Sequence, residues 1–383
     1  MSTIIRTRSP FFIRTPEETS ASLDYFEIKI FIQSGIANAA DTCGVNVIET
    51  ITLNKKPINN EDSVSVEISE IVNDYYEQNY QEALNSQPYK RIQSLWVDVT
   101  TTAKESDGTT IGTPTSTSYL AQEGYNTFLE GVNYTTEPNA MLTADYIQYN
   151  NGSEIQIPVN MEIVNSVVFK SGNTTIHTQS ISDTTNSLLK IKYVDLTTAT
   201  NITSVVITYN TSSTRTITVE RIDECKYPVF KCKFLNRWGA FQDVFFFKKS
   251  TESLDTKNEN YNRSIFNAAY KYKQRGGDGG ADEPCNTLFT YNSYSTNQHS
   301  KKSYNTNGSE SLILNTGFVN EAMNETFKEL LVSDYVYLTD SSGTTYPVNL
   351  KDSSLTYKTS LNDKLINYTM SFEKSFSYIN NVR

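Results

Sequence analysis

Residues 222–249 constrain the fold most strongly, because they contain two apolar, aromatic-rich runs joined by a short polar link. In 230–234, apolar residues alternate with lysines, which is the period of a strand with one buried face. Residues 244–247 read Val-Phe-Phe-Phe without interruption, as in a strand covered on both faces. Between the runs, Asn236 and Gly239 occupy the preferred first and last positions of a type I turn. The segment therefore predicts a central β-hairpin.

Other parts of the chain also show the two-residue period of strands. Residues 23–34 alternate cleanly, and their buried face is predicted to carry the side chains of Phe26, Ile28, Ile30 and Ile32. Further strands are predicted at 47–53 and 91–101, and a Ser/Thr-rich loop is predicted to open at Gly108. Apolar residues at 68, 71, 72 and 75 follow the helical period, which predicts one helix at the end of the first sheet.

The middle and end of the chain extend this all-β pattern. Between about 140 and 220, short β runs recur at roughly the 8–12-residue spacing of an immunoglobulin-like or fibronectin-like sandwich. Further strands and a helix ending near Leu331 follow the hairpin. The prediction is a mainly β protein with tandem β-sandwich or β-barrel-like domains and one or two short helices. Its domains are 1–139 with a capping helix, 140–220 as the small sandwich, and 221–383 with the hairpin and one helix.

Residues 254–308 form a long polar segment rich in tyrosine and asparagine. A segment of this length without secondary structure is usually functional or forms an interface. We expect parts of it to pair as strands, at 261–272 and 301–305. Whether its glycine-rich centre, 276–280, binds an ion is a question that the sequence leaves open.

Composition and charge restrict the class of partner. The 383 residues carry a net charge of −10, which disfavours a general surface for duplex DNA, although a local basic patch stays open. An acidic wall also suits a conduit through which DNA slides without sticking, although mild acidity is common in soluble proteins. The sequence shows no signal peptide and no apolar run long enough to span a bilayer. We therefore expect synthesis in a cytoplasm, no stable membrane insertion, and reduced cysteines at 43, 225, 232 and 285.

The residues that could support catalysis are few. Neither His177 nor His299 has a cysteine or carboxylate nearby in sequence at the spacing that metal ligands show. The sequence contains no nucleophile-elbow, phosphate-loop or dinucleotide-binding motif. Asp278, Asp282 and Glu283 could serve as paired carboxylates or as calcium ligands, but their spacing is not that of an EF-hand. The sequence predicts no catalytic, cofactor-binding or metal-binding residue and no cofactor.

The predicted tip of the hairpin carries the most distinctive pair of residues, Arg237 and Trp238. In one interpretation, Trp238 folds over the sheet edge of its own chain while Arg237 pairs with a nearby carboxylate. In the other, both insert into a neighbouring subunit, since Trp and Arg are enriched in interface hot spots. The residues predicted to contact other subunits are Phe11, Phe12, Arg237, Trp238, Tyr261 and Tyr304.

Several runs of the sequence resemble virion structural proteins of tailed bacteriophages, most closely those of crAss-like podoviruses that infect Bacteroidetes. These runs include FEIKIFIQSG, VSVEISEIVNDYY, EGYNTFLEGVN and ECKYPVFKCKFLNRWGAFQDVFFFKKS, together with the ending LLVSDYVYL and LINYTMSFEKSF. The resemblance covers most of the chain outside the middle sandwich, and NRWGAFQD is its most specific part. It carries no catalytic residue.

The resemblance implies a tail hub, ring or collar protein in the virion. Such a protein would assemble into a symmetric oligomer around the DNA channel with copies of itself and with other tail and portal-proximal proteins. It would touch DNA passively and would not read its sequence. Two alternatives stay open: a receptor- or carbohydrate-binding module associated with a tail fibre, and a depolymerase that uses Asp278, Asp282 or Glu283.

Overall fold

A computed structural model describes residues 3–34, 46–58, 62–75, 95–133, 135, 141–182, 191–210, 212–263, 294, 296–352, 354, 356 and 366–379. These residues form mostly strands, with two short α-helices, so the chain is mainly β as the sequence predicts. Contacts divide the chain into two compact units, Met1–Thr251 with Leu312–Glu373, and Glu252–Ser311 with Lys374–Arg383. The three predicted domain boundaries stay predictions.

The first part of the chain forms a five-stranded sheet in the order β1-β7-β6-β3-β4, and a two-stranded sheet of β2 and β5. Its elements are β1 (Ile4–Arg6), β2 (Phe12–Arg14), β3 (Tyr25–Ser34), β4 (Asn46–Lys55), β5 (Ser65–Glu67), α1 (Ser69–Asn73), β6 (Leu95–Lys104) and β7 (Thr110–Gln122). The face of β3 predicted to be buried is buried, and it packs on alternate residues of β6 and on α1. Period-two alternation thus identified the core of this sheet correctly.

The prediction of a Ser/Thr-rich loop after Gly108 is wrong. Residues from Thr110 onward form β7, a strand that pairs with β6 along most of its length. Its serine and threonine side chains are exposed, and a hydroxyl pair between Thr100 and Ser116 joins the two strands at 2.9 Å. Threonine fits a half-exposed sheet surface well, so a polar composition did not mean a loop here.

The middle of the chain is sandwich-like. Its elements are β8 (Tyr146–Asn150), β9 (Ile155–Asn160), β10 (Val164–Ser171), β11 (Thr174–Ser180), β12 (Ile191–Leu196), β13 (Ser204–Tyr209) and β14 (Ser213–Ile222). Five of them form the sheet β11-β10-β13-β14-β8, and β12 pairs with β9. Side chains from both sheets meet in one buried cluster, which is the arrangement that the short, evenly spaced β runs predict.

The last part of the chain forms a sheet in the order β16-β15-β19-β20-β21-β18-β17. Its elements are β15 (Phe230–Leu235), β16 (Phe241–Phe246), β17 (Thr251–Asn262), β18 (Lys301–Val319), α2 (Asn324–Leu331), β19 (Val336–Thr339), β20 (Thr345–Leu350) and β21 (Ile366–Lys374). Helix α2 was predicted to follow Gly317, but β18 continues to Val319 and a 3-10 turn, Glu321–Met323, comes before the helix. The long polar segment also holds more strand than predicted, since β17 begins at Thr251; most of 261–272 lies outside the described residues.

Strands β15 and β16 form the predicted hairpin, in register from Phe230 opposite Phe246 to Leu235 opposite Phe241. Strand β16 is covered on both faces, as its unbroken apolar run indicates. Val244 and Phe246 pack into the cluster built on β15 and β18–β21, whereas Phe245 and the following Phe247 pack into the sandwich cluster. The hairpin is therefore shared by two hydrophobic cores.

The prediction that only one face of β15 is buried is wrong. The lysines at alternate positions had indicated that the second face is open to solvent. Lys233 is only 2% exposed, because β9 covers that face. Its Nζ lies 2.8 Å from Asp243 on the paired position of β16 and donates to Gln156 Oε1 of β9 at 2.7 Å. A buried lysine is tolerated only when it is paired and hydrogen-bonded, and both conditions hold here.

Removing the cation from this buried pair should be costly. We expect Lys233→Met to lower the free energy of unfolding by about 3–5 kcal/mol, because Asp243 then keeps its charge in the interior without the lysine. The double variant Lys233→Met/Asp243→Leu should recover most of that loss. Urea unfolding measures both. Lys231→Met is the matched control, since the pair of Lys231 with Glu154 is longer, at 3.4 Å, and more exposed. A control as damaging as Lys233→Met would contradict this account.

Candidate functional site

The hairpin tip is a turn held by one side chain. Gly239 N donates to Asn236 O at 3.0 Å, which closes the predicted turn. Asn236 Oδ1 accepts the backbone N–H groups of Trp238 and Ala240, both at 3.1 Å, and its Nδ2 donates to Leu142 O at 2.7 Å. The Asn236 side chain thus provides an acceptor for the backbone N–H groups of its own turn, and it also attaches the turn to the segment before β8.

Residues 123–125, just after β7, lie against this tip with almost no space between the backbones. Tyr125 N donates to Arg237 O at 2.9 Å. A Cβ placed on Gly124 would lie 2.6 Å from Arg237 O, and one on Gly239 would lie 3.1 Å from the backbone of Glu123. Gly239 also has a φ of +75°, which favours glycine. Both glycines are therefore required by the close approach of two chain segments.

Arg6 of β1 fixes the same contact from the other side. Its guanidinium is buried, and Nη1 donates to Trp238 O at 2.8 Å and to Gln122 Oε1 at 3.3 Å. Arg8 continues the contact by donating to Val332 O at 3.0 Å and by pairing with Asp334 at 3.3 Å. The N-terminal strand thus ties the first sheet to the hairpin tip and to the end of α2.

Arg237 pairs with Glu130 in its own chain, as the first interpretation of the sequence proposed. The other oxygen of Glu130 accepts the N–H of Thr127 at 2.8 Å, so the carboxylate joins the hairpin tip to the 3-10 turn Phe128–Glu130. Burial opposes the charge of Glu130, but the hydrogen bonds from Arg237 and Thr127 hold its pKa below the ordinary range. The turn is anchored again where Asn133 Nδ2 donates to Pro10 O at 2.8 Å.

This anchored turn presents two apolar side chains to solvent. Phe128 is 98% exposed and Leu129 is 96% exposed, and Val132 beyond them is half-exposed. Sequence reasoning missed them, because residues 119–129 read as the return of ordered structure with an apolar end. The signal available was the Thr-x-x-Glu spacing of a capping box followed by Gly131, which marks a short capped turn whose intervening residues need not be buried.

The tip also buries a carboxyl group, Glu329 of α2, which is 9% exposed. Its Oε2 faces the backbone N–H of Arg237 at 3.4 Å, and the charged groups around it are Arg237, Glu325 and Lys328. Desolvation dominates and raises the pKa of Glu329 to about 7. Burial likewise raises the pKa of the nearby Tyr125 hydroxyl, over whose ring Arg8 lies at 5.3 Å.

Trp238 is half-buried against its own chain. It packs on a small cluster that includes Leu142, Tyr193 and Phe241, and the Tyr193 hydroxyl accepts the N–H of Phe241 at 2.7 Å. The Arg237 guanidinium lies 5.6 Å from the Trp238 ring. Arg237 and Trp238 are thus largely occupied within one chain, and their predicted contact with another subunit stays a prediction.

The two phenylalanines of the N-terminal segment differ in position. Phe11 is buried in the first core, edge-on to Tyr119 at 5.4 Å between ring centroids. Phe12, on β2, is 65% exposed. Of the pair, Phe12 has the free surface that a contact with another subunit requires.

Tyr261 and Tyr304 come together on the paired strands β17 and β18. Their rings lie edge to face at 5.6 Å, and both side chains are nearly half exposed. A hydrogen bond with Glu259 raises the pKa of the Tyr304 hydroxyl. The structure thus joins two tyrosines that the sequence placed in one polar segment, and their role in an interface stays a prediction.

The remaining candidates do not converge. His177 lies on β11 beside the Phe169 ring, and His299 is exposed before β18. Cys232 is buried and Cys225 exposed, and both are free thiols. Asp278, Asp282, Glu283, the glycine-rich 276–280, Cys43 and Cys285 lie outside the described residues. Within the described ranges, no three His, Cys, Asp or Glu side chains are grouped as metal ligands would be, and neither helix has the length and apolar character needed to cross a membrane.

The sequence matches no profile of a known protein family, and it has no significant match among curated protein sequences. The resemblance to phage tail proteins therefore rests on the residue runs quoted above. Of those runs, EGYNTFLEGVN and NRWGAFQD form the two sides of the contact between the exposed turn and the hairpin tip.

The raised pKa of Glu329 makes stability depend on pH. Because the folded chain holds this proton more tightly than the unfolded chain, the stabilisation is complete below about pH 4.5 and is lost as pH rises through about 7. We expect Glu329→Gln to remove up to about 3 kcal/mol of the decline in unfolding free energy between pH 5 and pH 8. Urea unfolding at both pH values tests this, with Glu17→Gln as control, since the Glu17 side chain is exposed and is not among the charged groups around Glu329. Equal declines in wild type and Glu329→Gln would contradict it.

Proposed function

We propose that the chain is a structural protein of a bacteriophage virion, of tail hub or ring type. It works by assembly with copies of itself and with other tail proteins into a symmetric oligomer around the DNA channel. The observation that carries the proposal is the pair Phe128 and Leu129, held almost fully exposed on a turn that Glu130 and Asn133 anchor. The resemblance of the surrounding runs to phage tail proteins supports the same conclusion.

Physical reasoning favours a contact with protein at this turn. A Phe or Leu side chain gains roughly 1.5–3 kcal/mol on full burial, so their exposure in one chain is a cost that a partner can reverse. The turn is ordered before binding, because Thr127, Glu130 and Asn133 are already hydrogen-bonded. Little conformational entropy would be lost when a neighbour covers it. In a closed ring, this apolar turn would meet a different surface of the next subunit, as head-to-tail contacts require.

The first test concerns the exposed turn. The double variant Phe128→Ser/Leu129→Ser should abolish or shift oligomerisation, because it removes about 3–6 kcal/mol of burial at each contact. Native mass spectrometry and light scattering of the full chain measure the oligomer. The unfolding free energy of the single chain should stay near wild type, since both side chains are exposed. The matched control is Ile58→Ser/Ile176→Ser, which removes two exposed apolar side chains elsewhere.

The second test concerns the virion. Purified phage particles should contain this protein in a fixed copy number, measurable by quantitative mass spectrometry, and electron microscopy should locate it in the tail. A chain that stays monomeric at all concentrations and is missing from virions would refute the proposal. Unchanged oligomers in Phe128→Ser/Leu129→Ser would refute only the assignment of the contact surface.

A second candidate function is carbohydrate binding in association with a tail fibre. It is favoured by the exposed ring pair of Tyr261 and Tyr304 beside Asn260, whose Oδ1 accepts the Ser303 hydroxyl at 2.7 Å. Aromatic faces next to amide groups suit sugar stacking and hydrogen bonding. Glycan-array binding by the full chain that disappears in Tyr261→Ala/Tyr304→Ala, with assembly unchanged, would favour this function over the first.

A further inference from the structure

Strand β17 after Thr251 and the first part of β18, as far as Ser311, belong to the smaller compact unit, Glu252–Ser311 with Lys374–Arg383. Every residue of β17 is exposed, and so are the first residues of β18. No described residue of this unit belongs to a buried hydrophobic cluster of the chain. A two-stranded ribbon without a core is only marginally stable in water, so this one gains from a further strand.

Among the strands that the structure describes, β17 lies at the edge of its sheet. Arg263 N donates to Ser300 O at 2.8 Å, which directs the N–H of Arg263 toward the neighbouring strand. Because this direction alternates along a strand, the N–H and C=O groups of Asn262, Asn260, Asn258 and Thr256 point away from β18. Strand β17 ends the order of its sheet, and none of the described strands pairs with this outer side. Twelve residues of strand whose outer edge no described strand covers are a template for another chain.

The charges of β17 match those of an antiparallel copy of itself. Asp255, Lys257 and Glu259 follow each other at two-residue spacing, so they lie on one face with alternating sign. The outward hydrogen-bonding positions are the even-numbered residues, and a twofold axis can pass either through one of them or through the residue between two of them, so the charges decide between the registers. An axis at Asn258 places Lys257 opposite Glu259 of the second copy, and an axis at Thr256 places Asp255 opposite Lys257 of the second copy. An axis at Lys257 itself would oppose two lysines and would place Asp255 opposite Glu259 of the second copy, so like charges disfavour that register.

We propose that β17 joins two copies of this chain, edge to edge and antiparallel, about a twofold axis at Thr256 or Asn258. Each copy then presents Lys257 to a carboxylate of the other, twice per pair of chains. The contact is isologous, because both copies use the same surface. It differs from the head-to-tail contacts that close a ring, and so it goes beyond the proposed function and does not depend on it.

Charge reversal in the full chain tests the pairing. Lys257→Glu should raise the dimer dissociation constant at least about tenfold, which is about 1.4 kcal/mol, because two attractive cross-strand pairs become repulsive. Sedimentation equilibrium measures the constant. Lys302→Glu is the matched control, since it makes the same charge change on β18, away from the open edge. An unchanged constant in Lys257→Glu would overturn the proposal.

Two double variants then identify the axis. Lys257→Glu/Glu259→Lys should restore pairing if the axis lies at Asn258, and Asp255→Lys/Lys257→Glu should restore it if the axis lies at Thr256. Asn258→Pro removes an outward N–H and should weaken pairing in either register. Failure of both double variants to restore pairing, or a wild-type chain that stays monomeric at about 100 µM (a weak affinity by any standard), would overturn the proposal. Phe128→Ser/Leu129→Ser should leave this pairing intact, which separates its failure from that of the proposed function.

Discussion

The two-sided burial of strand β16 is the constraint on which most of the larger unit depends. Its alternate side chains enter different cores, with Phe246 against Phe372 at 5.6 Å on one side and Phe245 stacked on Phe247 at 5.9 Å on the other. A strand buried in this way leaves no face for polar residues. Its two polar residues both have partners: Gln242 Oε1 accepts from Asn236 Nδ2 at 3.3 Å, and Asp243 is paired with Lys233. Any shift of register by one residue would exchange the two cores.

The tip of the same hairpin positions the turn that we propose as a contact surface. Because Asn236 fixes the turn, the backbone of Arg237 and Gly239 can lie against residues 123–125, and the Arg237 side chain can reach Glu130. Glu130 in turn holds the exposed turn with Phe128 and Leu129. The most distinctive residues of the sequence therefore act one step away from the proposed contact: they position it within the chain. Such positioning by paired, partly buried groups is what keeps an exposed apolar turn ordered before a partner arrives.

The described part of the smaller unit is not held together by a hydrophobic core of its own. It has exposed strands, a charge pattern of alternating sign and an open edge, and natural proteins usually blunt such an edge with short strands, lysine or proline. Lys257 by itself would discourage pairing with an arbitrary strand. Next to Asp255 and Glu259, the same lysine selects a strand with the complementary spacing, which the chain itself carries. An open edge with that pattern thus combines a template for pairing with selectivity for its partner.

The sequence by itself determined the elements whose burial repeats with a clear period. The buried face of β3, the sandwich-like middle, the hairpin with its Asn236–Gly239 turn, and the double burial of β16 all follow from local alternation or its absence. Only the tertiary structure decided what lies opposite each element. Lys233 is buried because β9, distant in sequence, covers it. Arg237 is paired because Glu130 arrives from a 3-10 turn more than 100 residues earlier in the chain, and Phe128 is 98% exposed although its turn is anchored. The period of a sequence pattern determines which face of a strand or helix a side chain lies on. Which residue that side chain contacts depends on packing between segments that are far apart in sequence.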